Sequence, residues 1–174
     1  MTPREQEEYT ALRTTIRERG TARIWVFVVG TAAWSALTVA TAALAPTPIA
    51  TLLPLLILAA AFEAVFALHV GVERIGRYLQ VFHDDEWERA ALAFGHPSGA
   101  AAVDPLFVVM FALAAVFNVM PALLAQPTPP ELIFIGGAHT LFLLRLVAAR
   151  MAASKQRAID LERFKEIKNE TTTT

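Results

Sequence analysis

Apolar residues gather into four runs that are almost free of charge: Ile24 to Ala45, Ile49 to Val70, Leu106 to Ala125 and Leu132 to Ala149. Each is about 18 to 22 residues long, the length a helix rising 1.5 Å per residue needs to cross a hydrocarbon layer of roughly 30 Å. The pattern predicts an all-α, polytopic membrane protein whose four transmembrane helices form two antiparallel hairpins. The pairs 24–45 with 49–70 and 106–125 with 132–149 are joined by links too short for any other path. Everything else is polar or amphipathic.

Three amphipathic pieces flank these runs. Tyr9, Leu12 and Ile16 make a narrow apolar stripe on a helix expected to end at Gly20, within an N-terminal segment 1–23. Val72, Ile75, Leu79 and Phe82 recur at spacings of three and four, so the second span is expected to continue as an amphipathic rod through the loop 71–104 and to stop by Gly95, before His96-Pro97-Ser98-Gly99. Leu161, Phe164 and Ile167 mark a third stripe in the C-terminal segment 150–174, extending the fourth span to about Glu170, with a threonine tail. Such stripes need cover, from each other, a partner or a headgroup surface. The face Val72, Ile75, Leu79 and Phe82 is the candidate docking face.

Helix starts are written into the chain. Thr2-Pro3, Thr47-Pro48, Asp104-Pro105 and Thr128-Pro129 each place a capping oxygen before a proline, whose missing N–H is harmless at the first helical position. Thr2 with Glu5 and Thr128 with Glu131 have capping-box spacing. Pro54 and Pro121 fall inside spans near their outer ends and predict bends.

Charge then orients the chain. All fifteen Lys and Arg lie before the first run, between the second and third, or from Arg145 onward. The links at Pro46 to Pro48 and Gln126 to Glu131 carry none. The positive-inside bias therefore places both termini and the central loop in the cytoplasm and the two short links outside. The first 23 residues mix Arg with Glu and lack an apolar core, unlike a cleavable signal. The excess of Arg over Lys and the abundance of Ala suggest a bacterial source, and hence the inner membrane.

Few polar groups lie within the spans. Glu63 falls about 21 Å below the outer edge and Arg145 about 20 Å, so the two can meet at one level if the second and fourth spans touch. A buried ion pair fixing helix register is the simpler account, and a snorkelling Arg145 the next. The functional account makes Glu63 a proton- or cation-binding carboxylate. Asn118 and His139 share a second level about 10 Å in, suited to an interhelical hydrogen bond or, with the first pair, to a broken relay. Trp34 needs an acceptor for its indole N–H. Gly136 and Gly137, like Gly30 and Ala33, offer small faces for close helix approach. His69 and Glu73 are spaced to hydrogen-bond.

The chain has no cysteine, which excludes disulfides, thiolate metal sites and thiol nucleophiles. His83, Asp85 and Glu86 form a weak metal candidate in an acidic stretch that reads more simply as a solvated helix end. No second ligand cluster, nucleotide loop or nucleic-acid module is present, so no cofactor is expected and nucleic acid is not a partner. The expected partners are the lipid bilayer and another membrane protein or further copies of the chain. The sequence thus reads as a non-catalytic membrane subunit or scaffold that docks a partner or self-assembles, the alternative being a small proton- or ion-coupled transporter or channel using Glu63.

Overall fold

The structure, a computed structural model, describes residues 2–44, 47–94 and 105–172. Among these there is no strand: the elements are α1 (Pro3–Leu44), a 3-10 turn (Pro48–Thr51), α2 (Leu52–Phe82), α3 (Glu86–Phe94), α4 (Pro105–Leu124) and α5 (Pro129–Thr172). Four helices are long and apolar enough to cross a membrane, and each carries most of one of the four apolar runs.

Every proline-initiated start is used. At α1 the Thr2 N–H donates to Glu5 Oε2 at 2.6 Å and the Glu5 N–H to Thr2 Oγ1 at 3.3 Å, a reciprocal capping box. At α5 Glu131 Oε2 accepts from the Thr128 N–H at 2.9 Å and from its hydroxyl at 2.7 Å. Thr47 precedes its proline without a side-chain cap. Asp104, Pro46, Gly95 and the His96-Pro97-Ser98-Gly99 segment lie outside the described residues.

Two expectations, a stop at Gly20 and a bend at Pro54, are corrected. Gly20 does not stop the first helix, because α1 runs through it to Leu44. A lone glycine costs a helix interior only about 1 kcal/mol, which neighbouring turns and packing outweigh. The amphipathic continuation of the second span ends at Phe82, well ahead of the expected limit at Gly95. Asp84 there adopts φ 53°, and Asp85 Oδ1 accepts the backbone N–H of Trp87 at 3.0 Å and of Glu88 at 3.2 Å, so a new helix starts. Pro54 is the third residue of α2, in a first turn whose N–H groups need no helical acceptor, so it interrupts nothing. Pro121 does lie inside α4 and denies Phe117 the donor its carbonyl would otherwise have.

The chain forms two compact units. One comprises Ile24–Phe66 and Val103–Ala149. Its core sets Leu55, Leu58, Phe62 and Val65 of α2 against Phe111, Ala114 and Ala115 of α4 and Phe142 and Leu146 of α5. Phe62 meets Phe111 and Phe142 edge to face at 5.4 and 6.1 Å. Gly30 of α1 lies so close to Ala61 of α2 that a Cβ there would overlap the Ala61 methyl. Gly136 and Gly137, by contrast, have nothing near the place a Cβ would occupy, so neither makes a close helix crossing within the chain.

The other unit comprises Met1–Arg23, Ala67–Ala102 and Arg150–Thr174. Here residues of the three amphipathic segments meet around Tyr9, Tyr78, Phe82 and Phe164. Leu79 is fully buried, and Tyr78 and Phe82 stack at 4.6 Å with Phe164 of α5 against both rings. Tyr78 donates its hydroxyl to Glu8 at 2.6 Å, and Lys168 Nζ donates to the Val81 carbonyl at 2.6 Å.

Candidate functional site

The two polar levels read from the sequence both assemble, in different surroundings. Asn118 on α4 is fully buried, and its hydrogen bonds determine where the protons sit. The Trp34 indole can only donate, and it does so to Asn118 Oδ1 at 3.1 Å. The amide nitrogen therefore points the other way, donating to the Thr51 carbonyl at 2.8 Å and to His139 Nε2 at 3.0 Å. His139 accepts on Nε2, so its proton is on Nδ1, which donates to the Ile135 carbonyl at 2.8 Å. Thr38 Oγ1 lies 3.4 Å from Asn118 Oδ1, but its single proton goes to the Trp34 carbonyl at 2.8 Å. One amide thus ties α1, the 3-10 turn, α4 and α5 together, and the imidazole's single proton is committed to the Ile135 carbonyl. No direct hydrogen bond among the described residues links this layer to Glu63 or Arg145, as expected of two layers that only water could join.

A cleft of about 240 Å³ lies beside the Asn118 layer, lined by Thr41, Thr51, Pro121, Leu124 and neighbouring small residues. The Thr41 and Thr51 hydroxyls donate to carbonyls of their own helical turns, so these walls present mostly apolar surface. Glu63 is not part of the lining.

Glu63 and Arg145 do meet. Arg145 Nη2 donates to Glu63 Oε2 at 2.8 Å and Nε lies 2.8 Å from Oε1, a two-point pair, with the guanidinium 5.4 Å from the Phe66 ring centre. The expectation of a buried pair is corrected: 48% of the Glu63 side chain and 42% of the Arg145 side chain are uncovered. The pair sits on the outside of its unit. The α2 residues beside Glu63 explain this, because Ala60 and Ala64 are too short to wrap it.

No family model, curated protein or solved structure matches the chain. Its sites therefore stand on their own geometry.

In the unit built from both chain ends, the candidate docking face is not open. Leu79 is buried, Val72, Ile75 and Phe82 are half-buried, and the helices that cover them belong to the same chain. The weak metal candidate does not converge either. Both oxygens of Asp85 are committed, Oδ1 to the start of α3 and Oδ2 to the Tyr9 hydroxyl at 3.0 Å and the Arg13 guanidinium, while Glu86 is exposed and His83 packs on Tyr9 and Tyr78. Burial pushes the Asp85 carboxyl up, but the Glu88 N–H, the Tyr9 hydroxyl and the Arg13 cation outweigh it and hold it below the usual carboxylate range.

Sequence reasoning missed a charge network around Glu73. His69 Nε2 and Glu73 Oε1 stand 3.6 Å apart, too far for the expected hydrogen bond, and Arg23 Nη1 lies 2.8 Å from His69 Nδ1. Glu73 Oε2 also takes Arg77 at 3.4 Å and Arg157 at 3.3 Å, and Arg74 pairs with Asp160 at 3.2 Å. Arg157 and Asp160 are three residues apart on α5, so they share a face. That spacing was the available signal.

Proposed function

We propose that the protein is a non-catalytic integral membrane subunit or scaffold of a bacterial inner membrane. In this reading the four spans form two antiparallel hairpins, both termini and the central loop are cytoplasmic, and a protein partner covers the α2–α5 face that carries Glu63 and Arg145. The segregation of all fifteen basic residues supports the orientation.

The observation that carries the reading is the uncovered ion pair. A charge near the middle of a span costs at least about 2.5–3.5 kcal/mol on insertion scales, and pairing removes the net charge without satisfying every donor and lone pair. Acyl chains satisfy none of them. A neighbouring helix with polar groups at the same depth satisfies them all. Transport by Glu63 is less well supported, because the carboxylate faces outward from its unit and is ion-paired with Arg145.

Two measurements test this. Purified protein in liposomes is expected to conduct protons no faster than lipid alone, with or without Glu63→Gln. In native membranes the wild-type chain is expected to run as a complex after mild solubilisation, and Glu63→Gln with Arg145→Gln to weaken it. Proton flux that disappears with Glu63→Gln would overturn the docking reading in favour of transport.

A further inference from the structure

We infer that the partner on this face is a second copy of the same chain, related by a twofold axis, with Arg145 of each copy reaching the partner's Glu63. The inference rests on the docking reading above and names its partner.

The argument begins with unused bonding capacity. The two-point pair engages Arg145 through Nε and Nη2, which leaves Nη1 with two N–H groups outside the pair. Glu63 Oε2 accepts one hydrogen bond and Oε1 lies in ion-pair contact, so each oxygen has a lone pair to spare. The patch therefore holds surplus donors and surplus acceptors side by side, at one level of the membrane.

A twofold contact requires a surface that complements itself. One cation beside one anion is the smallest charge pattern that does so, because rotation brings each over its opposite. Two copies then form a closed ring of four alternating charges, with every surplus donor facing a surplus acceptor. A foreign partner would need its own matched pair at the same depth, whereas a second copy carries it by construction.

The surroundings permit the approach. On the exposed side of α2, Leu53, Leu56 and Ile57 are bulky, but Ala60 and Ala64 beside Glu63 are small. Small residues let helix backbones come close in a membrane, where there is no hydrophobic drive and contact must come from packing and hydrogen bonds. The ion pair and the alanines thus mark the same stretch of α2.

The chain contains no cysteine, so single cysteines report proximity without background. Ala60→Cys and Ala64→Cys, each leaving the ion pair intact, are expected to give disulfide-linked dimers on oxidation in membranes. Phe117→Cys, on an α4 position that is 64% exposed, is expected to stay monomeric.

Charge reversal then tests the ring itself. Glu63→Arg alone and Arg145→Glu alone each place like charges across the axis and are expected to weaken the dimer at least about a hundredfold. Co-expressed under two tags, the two variants are expected to pair with each other and not with themselves. Equal cross-linking at 117 and 64, or failure of the mixed pair to form while both variants remain helical and folded, would overturn the inference. A wild-type chain that is monomeric in nanodiscs, yet loses a different protein on Glu63→Arg, would sink the second-copy inference and leave the docking reading standing.

Discussion

Asn118 shows how much one side chain can settle inside a span. Its Oδ1 accepts from Trp34, and its Nδ2 serves Thr51 and His139. Replacing it with Leu keeps comparable bulk but strands an indole N–H, a carbonyl and an imidazole nitrogen at once. Interhelical hydrogen bonds in membranes contribute less than their number suggests, so the expected loss is about 1–2 kcal/mol, read from unfolding in mixed micelles. Asn118→Asp is expected to be worse than Leu, since it sets a second acceptor against the Thr51 carbonyl and His139 Nε2. At Asp85 the corresponding test is pH. A carboxyl held below its unfolded value contributes stability that is complete above the ordinary carboxylate range near pH 4 and is lost as pH falls through the folded value. Asp85→Asn should therefore be less stable than wild type at pH 7, and the gap should close on acidification. A gap that is constant across that titration would show that the Arg13 and Tyr9 contacts contribute nothing. Depth counting made the levels of Asn118, His139, Glu63 and Arg145 legible, because rise per residue is constant along a helix. It could not make exposure legible, because the direction a residue faces around the bundle depends on neighbours that no count along the chain supplies.

At the scale of the helix, two glycines of α1 with identical local chemistry have opposite roles. Gly20 has open space where a Cβ would stand, so Gly20→Ala removes flexibility from the unfolded chain without a clash. It is expected to stabilise by about 0.5–1 kcal/mol. Gly30 faces Ala61, and Gly30→Ala is expected to destabilise by about 1–3 kcal/mol by forcing α1 off α2. Adding Ala61→Gly should recover most of that loss, and thermal unfolding of the three variants checks it. If Gly30→Ala is neutral, α1 does not pack where the structure puts it. This contrast also explains why Gly20 misleads as a helix stop: a glycine's effect is set by what lies beside it. The break after Phe82 is legible in the sequence, since Asp85 precedes Glu88 at the capping-box spacing. The apolar spacing that runs through Phe82 masks it.

For the molecule as a whole, the four apolar runs were plain in the sequence because hydrocarbon thickness sets their length, and four helices long and apolar enough to span are present. The meeting of the amphipathic segments was not plain, since three stretches far apart in the chain offer equally apolar faces and spacing alone does not say which meets which. Orientation can be argued from charge and then tested directly. Translocating a basic flank is disfavoured, so a link without Lys or Arg goes outward while its basic neighbours stay inside. In intact cells, a membrane-impermeant thiol reagent is therefore expected to label Thr47→Cys and Gln126→Cys and to spare Thr10→Cys and Glu162→Cys, all four being exposed positions in a chain with no native cysteine. Permeabilised cells should label all four. The reverse pattern in intact cells would place the basic unit outside, against the bias of fifteen cations, and would require a partner that overrides it. Labelling of only one of the two links would break the hairpin topology, because spans joined in sequence alternate sides and both links must then emerge together.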